Sequence, residues 1–235
     1  MKLPAKLMRH SRISLRTLFF AVTLCALALG ILAHRATRQR DLVRSLAAGN
    51  GSVFYDFQVT ADGRLAPERT SPLPAWLVET LGVDLLHHVV WLRLEGPQVN
   101  DATLAAAVRL PRLETLHLCK TSVSEQGLAQ LQRLKSLRVL TLNTAEVGDD
   151  LVARIARLPD VRELEIFSAL VTDDGLRKLS ACPSLERVWF EDTDVTEAGI
   201  DQFRRRHPHC RAGYSSPGFK TVAWRPRSLV SGIAN

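Results

Sequence analysis

Three groups of residues carry side chains suited to chemistry, and each fails on spacing. His207, His209 and Cys210 are metal-ligand types close together in the chain. Zinc takes four donors in a tetrahedron; neighbours such as His209 and Cys210 fit it poorly, and no second cluster supplies the rest. Asp149-Asp150 and Asp173-Asp174 offer the carboxylate oxygens that calcium prefers. Both pairs stand where a helix would begin, however, and exposed amide hydrogens there favour an acid with no ion present. His117 and Cys119 would suit a thiolate with its base, but they share one strand and have no evident third partner. The chain contains no glycine-rich phosphate loop, GxSxG elbow or HExxH helix. These residues imply a protein that is not an enzyme and takes no metal or cofactor.

All three groups sit in a framework with a period of 24. Rows of 24 residues laid out from Val89 align VVWLRL, LETLHL, LRVLTL, VRELEI and LERVWF without a gap. The fourth place holds Leu92, Leu116, Leu140, Leu164 and Val188, and the sixth holds Leu94, Leu118, Leu142, Ile166 and Phe190. Apolar residues two apart mark the inward face of a strand. The eleventh place is Val99, Val123, Val147, Val171 and Val195. Beyond it the apolar spacing changes to three: Leu128 with Leu131, Val152 with Ile155, Leu176 with Leu179, Ile200 with Phe203. Each row therefore reads as strand, turn and helix, with an apolar stripe that only a neighbouring row can bury. Ser124, Thr172 and Thr196 are hydroxyl caps before an acid, and Pro111, Pro159 and Pro183 close the helices. Cys119 and Cys182 read as small apolar packing residues, and four cysteines in all are too few for a disulfide scaffold.

Outside the rows, the charge is sharply divided. Residues 1–45 hold nine Lys/Arg and one acid, residues 46–203 hold 15 basic against 23 acidic, and residues 204–235 hold seven basic and none acidic. The repeats are thus acidic, which argues against a nucleic-acid partner. Residues 17–33 (TLFFAVTLCALALGILA) carry no charge and are bracketed by arginines. As a helix they span roughly 25 Å, near the minimum for a bilayer, with flanking arginines able to snorkel. That favours a single-pass anchor over a cleaved secretory signal, for which Ala26-Leu27-Ala28 would be the site. Five basic residues before the run against four after it lean towards repeats outside the cytoplasm; repeats inside, or secretion after cleavage, are the alternatives.

TSVSEQGL, LVTDDGL and TDVTEAGI following the LxxLxL strands resemble leucine-rich repeats of the ribonuclease-inhibitor type. The opening SLRTLFFAVTLCALALG, with PLPAWLVETLG and DLLHHVVWLRL, resembles membrane-anchored bacterial leucine-rich-repeat proteins. The resemblance implies an α/β solenoid, curved and right-handed, with parallel strands on the concave face, helices outside, and protein recognition as its activity. One departure concerns the polar position after each strand, which here reads Pro97, Thr121, Ala145, Ala169 and Thr193. The expected layout is an anchor with basic flanks over 1–40 and a connecting helix and cap over 41–88, with a strand at 52–59 and a helix at AWLVETL. Five repeats follow over 89–208, then a partial cap with a last strand and a disordered basic tail over 209–235.

Outward strand positions define the expected binding face. They are Trp91, Arg93 and Glu95; Thr115, His117 and Cys119; Val139, Thr141 and Asn143; Glu163, Glu165 and Phe167; Arg187, Trp189 and Glu191. Trp91, Phe167 and Trp189 are the types that anchor interfaces when exposed. A covering by the tail or by the 60–72 loop is the competing expectation. The sequence thus points to a membrane-tethered protein recruiting an unidentified protein or peptide. A structural envelope spacer is the alternative, and a non-catalytic subunit of an enzyme complex a more remote one.

Overall fold

A computed structural model describes residues 15–215 apart from 62, 145 and 146. The expected disordered tail over 216–235, the basic residues before Leu15 and the Ala145 turn position lie outside the described residues.

The chain begins with one long helix, α1 (Leu15–Ala48), whose apolar stretch is long enough to cross a membrane by length and composition. Strand β1 (Gly51–Tyr55) follows and pairs antiparallel with β2 (Val89–Glu95). The strand expected over 52–59 therefore ends at Tyr55, where Asp56–Gln58 form a single 3₁₀ turn. Two short helices, α2 (Ala75–Leu81) and α3 (Val83–Leu86), intervene before β2.

From β2 onwards the pattern repeats: α4 (Asp101–Ala107), β3 (Thr115–Cys119), α5 (Glu125–Leu128), β4 (Val139–Asn143), α6 (Asp149–Ile155) and β5 (Glu163–Thr172). Then come α7 (Asp173–Lys178), β6 (Arg187–Asp194), α8 (Glu197–Arg206) and a last strand β7 (Arg211–Ser215). The strands form one sheet in chain order, and every pair from β2 to β7 is parallel. The register is the sequence period made physical. Leu92 lies opposite Leu116, which lies opposite Leu140, then Leu164, then Val188.

That register builds the core. The fourth-place ladder and the sixth-place ladder from Leu94 to Phe190 are wholly buried, as are Val99, Val123, Val147 and Val171. Each such side chain, if fully removed from water, contributes about 1.5–3 kcal/mol. Leu110, Leu134 and Leu158 close the rows, and Cys182 takes the same place in the next one, 4% exposed. It is buried there as expected, but its thiol also reaches the Val161 carbonyl (3.8 Å).

Polar contacts between repeats are as regular as the apolar ones. Asp101 accepts hydrogen bonds from the Ser124 amide (2.8 Å) and hydroxyl (2.6 Å). Asp149 does the same for Thr172 (2.9 and 2.7 Å), and Asp173 for Thr196 (2.8 and 2.7 Å). The same hydroxyls also cap their own helices, accepting from Gly127 N, Asp174 N and Gly199 N. The acids expected to act only on their own helix dipoles therefore clasp one repeat to the next. A small residue must sit beside each clasp, because a Cβ at Gly127, Gly175 or Gly199 would lie 2.1–2.4 Å from the carboxylate. Where the clasp is missing, all three of its members have changed together: Glu125, Gly148 and Leu151 replace the acid, the hydroxyl and the glycine.

The turns after the strands use backbone bonds in place of a polar side-chain ladder. Gly96 N donates to Cys119 O (3.0 Å), and Lys120 N donates to Asn143 O (2.7 Å). Gly96, Lys120 and Asp192, each one residue past its strand core, hold positive φ. Thr121 consequently leaves its hydroxyl buried with no hydrogen-bond partner among the described residues.

Alanine at two glycines should differ sharply in cost. Gly175→Ala forces a methyl against the Asp149 carboxylate and is expected to cost about 1–3 kcal/mol in urea denaturation. Gly148→Ala has open space around the new methyl and φ −116°, but it replaces glycine at the N-cap of α6, where alanine is disfavoured; the two effects offset to within about 1 kcal/mol of neutral.

Candidate functional site

Alternate residues of β2 to β6 point away from the buried ladders, and the parallel register sets them side by side across the sheet. Arg93, His117, Thr141, Glu165 and Trp189 form one row; Glu95, Cys119, Asn143, Phe167 and Glu191 form the next. Trp91, Thr115, Val139, Glu163 and Arg187 form the third. Every residue expected on the binding face is thus brought together on one side of the sheet.

The expected exposure of the aromatic anchors is not found. Trp91 is 7% exposed, Phe167 9% and Trp189 4%. Trp91 lies opposite Phe54 of β1, their rings edge to face at 5.1 Å, and contacts His117 on its other side at 4.9 Å. Phe54 was legible only as part of a strand candidate; nothing local says that this strand pairs beside β2. Trp189 lies over Gly213 of β7, where a Cβ would come within 2.5 Å of the ring, and its Nε1 donates to Glu191 (3.2 Å).

The charged residues of the face are held in pairs. Arg187 bonds to Glu163 across adjacent strands, Thr141 Oγ1 donates to Glu165 (3.0 Å), and Arg93 donates twice to Glu95 (2.8 and 3.1 Å). Glu163, Glu165 and Thr141 are buried. The accessible polar part lies on β2–β4 and again on β6: Arg93, Glu95, Thr115, His117, Cys119, Asn143, Arg187 and Glu191 are half-buried.

The chemistry-bearing groups occupy structural positions. Burial, reinforced by Arg93, pushes His117 down to about 4, so its ring is neutral at pH 7. Burial likewise raises the Cys119 thiol, which therefore stays protonated beside a histidine that carries no charge to stabilise a thiolate. Near the last strand, His207 packs against Phe203 with the rings tilted at 4.6 Å, and its Nε2 is buried without a hydrogen-bond partner among the described residues. Cys210 is buried, its thiol pushed up to about 12. Among the described residues, no group of three or more His, Cys, Asp or Glu side chains is arranged to hold a metal.

Comparison with protein families finds no match, and neither does comparison with curated proteins. Solved structures with a similar chain path include a leucine-rich-repeat protein of Leptospira interrogans, at 19% identity and a TM-score of 0.35. An internalin of Listeria monocytogenes aligns at 10% identity and 0.34, and an internalin C2 from the same organism at 13% and 0.32. The alignments cover 46%, 50% and 63% of this chain, and 27%, 38% and 78% of the respective structures. The chain thus spans about a quarter of the Leptospira protein and under two-fifths of the first internalin.

The depressed His117 pKa sets a pH dependence. The unfolded chain takes up this proton near pH 6.5 and the folded one near pH 4, so stability is complete above about 6.5 and falls between 6.5 and 4. His117→Gln should flatten the stability profile in that window, removing at most about 2–3 kcal/mol of acid sensitivity in urea titrations from pH 7.5 to 4.

Proposed function

We propose that this chain is a membrane-tethered leucine-rich-repeat solenoid of the ribonuclease-inhibitor-like type, recruiting a protein or peptide on its concave face without catalysis. In this reading residues 17–33 cross the bilayer once and the repeats lie outside the cytoplasm. The observation that carries it is the in-register array of polar side chains on the sheet face opposite the helices. A sheet face whose side chains are ordered by register offers a shaped surface at low conformational cost, which is what recognition requires.

Arg93, Glu95, Thr115, His117, Cys119, Asn143 and Glu191 are the contact residues in this reading. Trp91, Phe167 and Trp189 lie among them on the same face, each buried against its neighbours. Since the aromatics are covered, specificity falls to hydrogen bonds and charge pairing rather than to an aromatic plug.

A second reading, an envelope spacer with no ligand on the sheet, draws on the internal pairing of Glu163 with Arg187 and of Glu165 with Thr141. Charges satisfied within the fold need no partner.

A photo-crosslinking amino acid at Asn143, on the sheet face, and at exposed Arg157, beyond the helices, separates the two. The recognition reading expects a discrete adduct from position 143 in native membranes and none from 157. An adduct from 157 alone would move the contact to the helical side, and no adduct from either would favour the spacer.

A further inference from the structure

Helix α1 does not end at the membrane. Gln39 is its first buried side chain, donating to the His87 carbonyl (2.9 Å) and to Asp84 (3.3 Å). Arg40 pairs with Asp84 (3.7 Å) and lies against Gly82, and Leu46 is fully buried. Six residues separate Gln39 from Ala33, the last of the uncharged run, so an unbroken helix sets them about 9 Å apart. The run itself is a few ångströms shorter than the roughly 30 Å hydrocarbon layer, which draws its flanks inward. The elements gripped by Gln39 and Arg40 are therefore those nearest the bilayer: α3 and the end of α2.

These elements are rich in apolar residues, half-buried on the side that meets α1 and open at Trp76 and Leu81. Residues 73–86 include Leu73, Trp76, Leu77, Val78, Leu81 and Leu86. No residue of α2 or α3 is buried. Trp76 is 66% exposed and Leu81 42%, the largest exposed apolar side chains of this region. An indole pairs an apolar body with one N–H donor and is favoured at the boundary between headgroups and acyl chains. Arg35 and Arg38 of α1 stand between the apolar run and Gln39 and complement lipid phosphates.

We infer that α2 and α3 form a second membrane contact, with Trp76 and Leu81 seated at the lipid headgroup boundary so that the repeats are held at a set angle to the bilayer. This rests on the reading of residues 17–33 as a span. The partner is the lipid interface, since the continuous helix delivers this apolar patch to that depth whatever the protein ligand is. Glu79 of α2 and Asp41 of α1 are exposed beside the arginines, a mixed charge that fits a zwitterionic headgroup.

The test uses the full chain in phosphatidylcholine vesicles, with and without bromine on the upper acyl carbons, which quenches nearby indoles. Of the four tryptophans, Trp91 and Trp189 are buried in the sheet, and Trp224, outside the described residues, is replaced by phenylalanine in every chain compared. Brominated lipid should then remove on the order of a third of the emission, Trp76→Phe should abolish that loss, and adding Leu81→Trp to Trp76→Phe should restore it. Equal quenching of wild type and Trp76→Phe, or no quenching of a chain that stays with the vesicles through alkaline extraction, would overturn the second contact alone. A chain released by that extraction would overturn the span and this contact together.

Discussion

No repeat of this protein can bury its own apolar surface, and the rest of the structure follows from that constraint. A short strand and a short helix expose a stripe on each side, and only the row before and the row after can cover them. Leucine and valine at fixed places therefore stack into continuous ladders from Leu92 to Val188 and from Val99 to Val195. Apolar ladders alone specify register weakly along the stack. The aspartate clasps add direction, because a carboxylate accepting both an amide and a hydroxyl from the next repeat tolerates little slippage. At the junction that lacks the clasp, Glu125, Gly148 and Leu151 stand in place of all three members.

The same constraint decides the fate of the chemistry-bearing residues. Asp149 and Asp173 have the donors of a calcium site by type, but their oxygens are already taken by threonine hydroxyls and amides. Cys182 occupies a leucine's place. His117 and Cys119, drawn together by strand periodicity, are each held in the neutral form by burial. What the sheet presents instead is a face on which register sets polar side chains and covered aromatic rings side by side.

At its N-terminal end the stack is closed by two pieces that behave differently. β1 completes the sheet edge and covers Trp91 with Phe54, while α1 buries Leu46 against the first repeat and continues as one helix into its apolar stretch. A flexible linker would let the repeats swing through a large volume; a continuous helix gripped by Gln39, Arg40 and Leu46 confines them.

The sequence by itself determined the strand and helix rows, their inward ladders, three of the hydroxyl caps and the apolar helix, because period and capping are local and repeat at every row. It also determined which residues share the outward face, since alternation along a strand admits no other choice. Tertiary structure alone decided how accessible that face is. Whether Trp91 is an anchor or a buried support depends on Phe54, nearly forty residues earlier, and the state of Trp189 depends on Gly213 in a strand that pairs only once the stack has formed. The aspartate clasps were present in the sequence as an acid, a hydroxyl 23 residues on and a glycine three beyond it. Their meaning came from the parallel stacking of helix starts, because a hydrogen bond between repeats exists only when the rows are superposed at the spacing of adjacent strands.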